Sequence, residues 1–241
     1  MSHDSESQAE FFYQQGIAQG QTQEYEAALA SFEQAIALKP DYPEAWYEQS
    51  LALWHLKRFE ACLAKLNQAV ILKPDYWQAW NMRGMILKFP LLRAEEALTC
   101  FERALELDAS DPAVWRNRSQ VLSVLGRHPE ALASCDQALV LRNSAPELWD
   151  DHGNVLCDLE RYEEAIASYD QALELQPDNA QVWNNRGLAL LSLKRYEEAL
   201  ANYDQGLELV PDDEALLSNR TSVVKTLQRL KRVVSDGQSF Y

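Results

Sequence analysis

Five tryptophans keep a fixed beat along the chain: Trp46, Trp80, Trp115, Trp149 and Trp183, separated by 34, 35, 34 and 34 residues. Four residues after each stands a small residue: Ser50, Gly84, Ser119, Gly153 and Gly187. Each opens a segment that closes on a near-copy of RYEEAIASYDQALELQPDN at 161–179, repeated as RYEEALANYDQGLELVPDD at 195–213 and EYEAALASFEQAIALKPDY at 24–42. A period of this length marks stacked supersecondary units, because one such unit cannot bury its apolar side alone and must lean on its neighbours. It predicts one elongated body, a surface for holding other molecules more than a reaction vessel.

Within each unit, apolar residues recur at three- and four-residue spacing in two stretches, which reads as two helices. In the sixth unit these are Ala180 to Leu193 and Tyr196 to Leu209. Pro40, Pro74, Pro177 and Pro211 end second helices, since proline lacks an N–H and clashes inside a helix. Six units follow, at 9–42, 43–76, 77–111, 112–145, 146–179 and 180–213, with a capping helix at 214–234. Leu216, Leu217, Val223, Val224 and Leu227 are available to cover the last open core face. Residues 1–8 and 235–241 are expected as frayed, disordered tails. The third unit carries one extra residue within KFPLLRAEEA, so Pro90 should end its first helix early and leave Phe89, Leu91 and Leu92 in a long loop.

The formal charge of −15 argues against nucleic acid, which needs a clustered Lys/Arg face, and against anionic membrane surfaces. No apolar run is long enough to span a bilayer, and residues 1–10 lack the order of a secretory signal. A cytoplasmic protein is the expectation. Cys62, Cys100, Cys135 and Cys157 fit a reducing compartment and match no zinc pattern. No cofactor or metal is expected. His3, His55, His128 and His152 are scattered, with no metalloprotease motif and no phosphate loop, so no enzyme is expected.

The unit resembles the tetratricopeptide repeat (TPR), whose pattern has Trp at position 4, Gly at 8, Ala at 20, an aromatic at 24, Ala at 27 and Pro at 32. The fifth unit carries Trp149, Gly153, Ala165, Tyr169, Ala172 and Pro177; the first carries Phe12, Gly16, Ala28, Phe32, Ala35 and Pro40. The wording of the copies is similar to bacterial, cyanobacterial-like members. The resemblance implies an all-α, right-handed superhelix (an α-solenoid) of six helix-turn-helix repeats plus the capping helix. First helices would line its inner groove and second helices would face outward. Departures from the pattern are Cys62 at position 20, Cys135 at 24, Asn143 at the proline position and Gly206 at 27.

In the resembled family the groove is lined from positions 2, 5, 6, 9, 12 and 13 of the first helices. In the first three units these positions supply Tyr13, Ile17, Tyr47, Leu51, Trp54, Met82, Met85 and Phe89. In the later units they supply Arg116, Asn117, Gln120, Asp150, Asp151, Asn154, Asn184, Asn185, Leu188 and Asn219. The groove therefore reads as apolar and aromatic in its N-terminal half, polar in its C-terminal half. An exposed apolar patch usually marks a partner site; the bland reading is packing between neighbouring units. Asn117, Asn185 and Asn219 share position 6 and form a column of amides that could hold an extended peptide backbone. The Lys/Asn/Arg set that clamps chaperone C-terminal carboxylates is missing: Arg116 and Gln120 come nearest, but Asp151 stands where Asn is needed.

Acidic residues such as Glu163, Glu164, Glu197 and Glu198 fall on second helices, a solvated face. Arg220, Lys225, Arg229, Lys231 and Arg232 make the last helix basic, which suits a helix C-terminus or docking onto an acidic surface. The expected function is a non-catalytic scaffold or adaptor, an assembly factor or chaperone-like protein holding a partner protein, peptide or helix in the groove. The alternatives are a self-associating, homo-oligomeric structural protein, using Phe89, Leu91 and Leu92 or Val233 and Val234, and a regulatory subunit of a separate enzyme or a small-ligand sensor using the groove.

Overall fold

The computed structural model describes residues 3–238, with side chains from Asp4 to Arg232. Among the described residues there are thirteen helices and no strand. They are α1 (His3–Gln21), α2 (Tyr25–Leu38), α3 (Pro43–His55), α4 (Phe59–Leu72), α5 (Trp77–Lys88), α6 (Ala94–Leu107) and α7 (Pro112–Val124). After these come α8 (His128–Leu141), α9 (Pro146–Asp158), α10 (Tyr162–Leu175), α11 (Ala180–Ser192), α12 (Tyr196–Leu209) and α13 (Glu214–Gln238). Two compact units divide them, the first ending at Leu125 and the second beginning at Gly126. In the first, α1 pairs with α2, α3 with α4 and α5 with α6, and α7 closes on α6. In the second, α8 packs on α9, the pairs α9/α10 and α11/α12 follow, and α13 lies on α12.

Four of the pairs, α1/α2, α5/α6, α9/α10 and α11/α12, close tightly because a ring lies on bare backbone. A Cβ added to Gly16 or Gly84 would sit 2.6 Å from the ring of Phe32 or Phe101; at Gly153 and Gly187 it would sit 2.5 Å from Tyr169 and Tyr203. All four rings are buried, so none can swing aside. Gly206 serves the same end, because a Cβ there would meet Leu216 of α13 at 2.8 Å. The tryptophans of the repeat pin the loop before them. The indole N–H of Trp46, Trp80, Trp115, Trp149 and Trp183 donates to the carbonyl six residues upstream, at 2.8–3.0 Å. That satisfies a carbonyl left over where a second helix ends.

First helices stop by a left-handed residue. Gln23, Lys57, Leu92, Glu160 and Lys194 have φ between 55° and 64°, and Gly126 sits at the same place with φ 72°. The next N–H then turns back to a carbonyl of the last helical turn, as Arg58 does to Leu53, Arg161 to Leu156 and Arg195 to Leu190, each at 2.9 Å. In the third repeat α5 ends at Lys88, as Pro90 requires, and residues 89–93 form the expected loop. Phe89 and Leu92 stand out of it, 67% and 76% exposed.

Both chain ends differ from expectation. Residues 3–8, read as a tail, are the start of α1: Asp4 and Glu6 in its first turn favour the positive helix end, and Ala9 is fully buried one turn on. The capping helix runs past 234 to Gln238. Leu216 and Val223 enter the core and Leu227 packs against it, whereas Leu217 faces out. The side chains of Val233 and Val234 lie outside the described residues.

Gly187→Ala should lower stability by about 1–3 kcal/mol, since the buried ring of Tyr203 leaves no room. Melting followed by far-UV circular dichroism reads the loss. Pairing Gly187→Ser with Tyr203→Leu, which copies Ser50 and Leu66 of the second repeat, should lose less than Gly187→Ser alone. An undisturbed midpoint for Gly187→Ala contradicts the close-approach argument.

Candidate functional site

In the first unit, helices α1, α3 and α5 carry the apolar set. The ring of Tyr13 lies 4.9 Å from Tyr42 and 6.1 Å from Phe32; Tyr47 lies 5.0 Å from Tyr76; Trp54 meets Phe59 edge-on at 5.5 Å. Burial pushes the phenols of Tyr13 and Tyr47 up to about 12, so both stay neutral. Ile17 and Leu51 are half-buried and line a cleft of about 330 Å³ that also contains Glu48. Met85 is half-buried and Phe89 stands in the loop. Met82 departs from the predicted groove: it is buried, 7% exposed, within the α5 core side. Packing claims it, the bland outcome that the sequence left open.

Tyr42 and Tyr76 escaped the sequence reading, although a signal was present. Each closes a KPDY run, at 39–42 and 73–76. The lysine of each run lies over its tyrosine, Lys39 at 4.4 Å from Tyr42 and Lys73 at 4.7 Å from Tyr76. Tyr42 also donates its hydroxyl to Glu10 at 2.6 Å, and Lys73 pairs with Glu44 at 3.0 Å. Farther on, Lys88 donates to Asn117 at 3.2 Å and to Gln120, and the Asn117 amide reaches Asn81 at 3.4 Å. Arg116, Asn117 and Gln120 are all half-buried.

In the second unit the amide column is largely spent on itself. The Asn185 amide donates to Asp150 and Asn154, both at 3.1 Å, and Asn219 donates to Asn184 at 2.9 Å. The Tyr169 hydroxyl donates to Asn154 at 2.9 Å. Asn184, expected in the groove, is 8% exposed. Asp150 and Asp151 are half-buried, and Leu188 is exposed. These amides bridge successive first helices, so they bear first on register. Only what remains unsatisfied can meet a ligand.

A second ladder was missed altogether. At position 7 of successive first helices stand Arg83, Arg118, His152, Arg186 and Arg220, each reaching a partner 16 residues upstream on the preceding second helix. Arg83 donates to Asn67 at 2.8 Å, Arg118 to Glu102 at 3.2 Å, Arg186 to Asp170 at 2.7 Å, and Arg220 to Asp204. In the second repeat Gln49 takes the place, fully buried, with its Oε1 lacking a hydrogen-bond partner. The recurrence at 16-residue spacing was visible in the sequence, but pairs that far apart do not stand out from helical periodicity.

His152 belongs to this ladder. Its Nε2 lies 3.2 Å from Asp136 and its Nδ1 2.8 Å from Ser168, an order of groups that superficially matches a Ser-His-Asp nucleophile. The next repeat explains it. Arg186 touches Asp170 and Asn202 from the same positions, so the trio is the clamp with a histidine in it. Ser168 is 4% exposed, and its hydroxyl donates to the Glu164 carbonyl at 3.1 Å. Cys157, at position 12 of the fifth repeat, is half-buried with its Sγ 3.5 Å from the Tyr169 hydroxyl. Among the described residues no group of His, Cys, Asp and Glu is placed to hold a metal, and no helix is long and apolar enough to cross a membrane.

Paired helices at a 34-residue beat, joined by close ring–glycine contacts, define a helical repeat protein. Comparison with protein families matches residues 13–76, 91–146 and 180–213 to the tetratricopeptide repeat and 153–194 to a TPR repeat. The chain belongs to the tetratricopeptide repeat family. No curated protein matches it in sequence. Solved structures share the fold. YrrB, described as a TPR protein with an unusual peptide-binding site, has 22% identity and a TM-score of 0.70, over 79% of this chain and 97% of that one. PilW, a type IV pilus biogenesis factor, has 20% identity and a TM-score of 0.74, over 87% and 97%. Pseudomonas aeruginosa pilF has 17% identity and a TM-score of 0.74, over 91% and 99%.

Burial pulls the His152 pKa below its ordinary value, against the opposing pull of Asp136. The folded chain then binds that proton less readily than the unfolded chain, whose histidine titrates near about 6.5. The stability this neutral form contributes is present above that pH and lost as pH falls through it. His152→Arg, which restores the residue type of the other repeats, should remove this loss. Its melting midpoint should gain on the wild type between about pH 7.5 and about pH 5.5; parallel curves would refute the assignment.

Proposed function

We propose that the chain is a non-catalytic scaffold that holds a partner peptide or helix against the first helices of its first unit, as an adaptor, assembly factor or chaperone-like protein. The observation that carries this is the half-exposed aromatic and aliphatic face of α1 and α3, with Tyr13, Ile17, Tyr47, Leu51 and Trp54 on it. Apolar surface left on a folded protein in this arrangement is characteristic of partner sites. The second unit offers the opposite: amides already bonded to one another. The structural neighbours support the reading, one described with a peptide-binding site and another as a biogenesis factor. Four free cysteines, three of them buried, fit a reducing compartment, and a cytoplasmic location is part of the proposal.

Affinity capture from the native cell tests it. Wild type and the variant carrying Tyr47→Ala with Trp54→Ala are compared by quantitative mass spectrometry, with circular dichroism confirming the fold. The variant should lose its specific partner by about tenfold or more, as expected when interface aromatics are truncated. Equal capture by the folded variant removes the proposal.

Self-association is the second reading, and Phe89 and Leu92 on the inserted loop favour it. Under this reading light scattering reports a dimer or larger species, and Phe89→Ser with Leu92→Ser returns it to a monomer. A wild type that is monomeric at every concentration eliminates it.

A further inference from the structure

The apolar face of the first unit has one charged group whose pairing is not accounted for. Glu48 sits on α3 at the position that carries the asparagine column in later repeats. Its carboxylate is half-buried and has no hydrogen-bond or ion partner among the described residues. The neighbouring carboxylates are taken, Glu10 by Tyr42 and Glu44 by Lys73. Burial alone pushes the Glu48 carboxyl above its ordinary range, with no cation to oppose it. A desolvated carboxylate without a partner is costly, and the cost is recovered when a cation is brought to it.

The cleft beside Glu48 has the form to receive one. Gly20 leaves it open: a Cβ built there meets nothing within 4 Å. At the same position the second and third repeats carry Trp54 and Lys88. Ile17 and Leu51 supply aliphatic wall, and Tyr25, stacked on His55 at 4.4 Å, supplies an aromatic one. The volume, about 330 Å³, suits a single long side chain.

We propose that this cleft takes a basic side chain, Lys or Arg, of the partner polypeptide, with Glu48 as its counter-charge. The inference rests on the reading of this face as the partner-binding face. An aliphatic stem lies along Ile17 and Leu51 while its charged head reaches Glu48, the way long basic side chains divide between apolar and polar surroundings. Tyr25 adds a ring face for the cation. The net charge of −15 draws basic partners in from a distance. A polypeptide fits better than a small free amine, because Tyr47 and Trp54 extend the apolar face past the cleft.

The test is a selection of random dodecapeptides, displayed on phage, against the full chain. Enriched peptides are synthesised with a fluorophore and titrated by anisotropy against wild type, Glu48→Gln, Gly20→Leu, and Tyr47→Ala with Trp54→Ala. The enriched peptides should share a Lys or Arg, and should lose about tenfold or more in affinity on Glu48→Gln and on Gly20→Leu. Replacing that basic residue by norleucine should weaken binding to wild type by a similar factor and add little on Glu48→Gln. Peptides that need Tyr47 and Trp54 but bind Glu48→Gln as tightly as wild type overturn the cleft assignment and leave the binding face standing. Peptides indifferent to both, or a selection that enriches nothing, overturn the two together.

Discussion

Two helices approach only as closely as their facing side chains permit, and in this chain the limit is an aromatic ring resting on backbone that has no Cβ. Phe32 on Gly16, Phe101 on Gly84, Tyr169 on Gly153 and Tyr203 on Gly187 make the same contact four times. Burying each ring contributes about 1.5–3 kcal/mol, and its fit adds dispersion that a looser pair would forfeit. In those four hairpins the contact sets how the first helix leans on its second, and so which side of the first helix is turned away from the core. The outward side of α1 and of α5 is what that choice leaves.

What joins one hairpin to the next is different in kind. The position 7 arginines reach back to carboxylates and amides on the preceding helix, and the repeat tryptophans cap the loop between. Arg186 and Arg118 are mostly covered while their acidic partners are about half exposed, so each pair adds little net stability. Their effect is on register: an ion pair with fixed geometry penalises a helix that slides or rotates, where an apolar contact would tolerate it. His152 shows how such a clamp can resemble a catalytic group when seen alone. Only its periodic neighbours reveal the resemblance as structural.

The two units then differ in how completely their first helices satisfy themselves. In the second, Asn185, Asn154, Asp150, Asn184 and Asn219 bond to one another and ask little of a ligand. In the first, the polar groups beside Tyr42 and Tyr76 are paired, the rings pack tilted or edge-on against one another, and Glu48 is left over in an apolar cleft. A surface that is apolar and holds one unpaired charge gains more from a partner than one whose hydrogen bonds are already made.

The helices, their pairing and the hairpin turns were legible in the chain, because helical period, proline stops and small–large alternation are local properties that repeat six times. Pro90 and the extra residue located the irregular loop for the same reason. Position in the repeat also named most of the outward residues, since one face of a helix follows from spacing. It failed at Met82 and Asn184, which the neighbouring helices bury, and at the N-terminus, where residues read as a tail continue α1. Spacing could not tell which amides bond to each other, that Lys39 and Lys73 cover their own tyrosines, or that Gly20 opens a space beside Glu48. Those depend on distances between helices, and a distance exists only once the rings have settled onto the glycines and brought remote stretches of chain together.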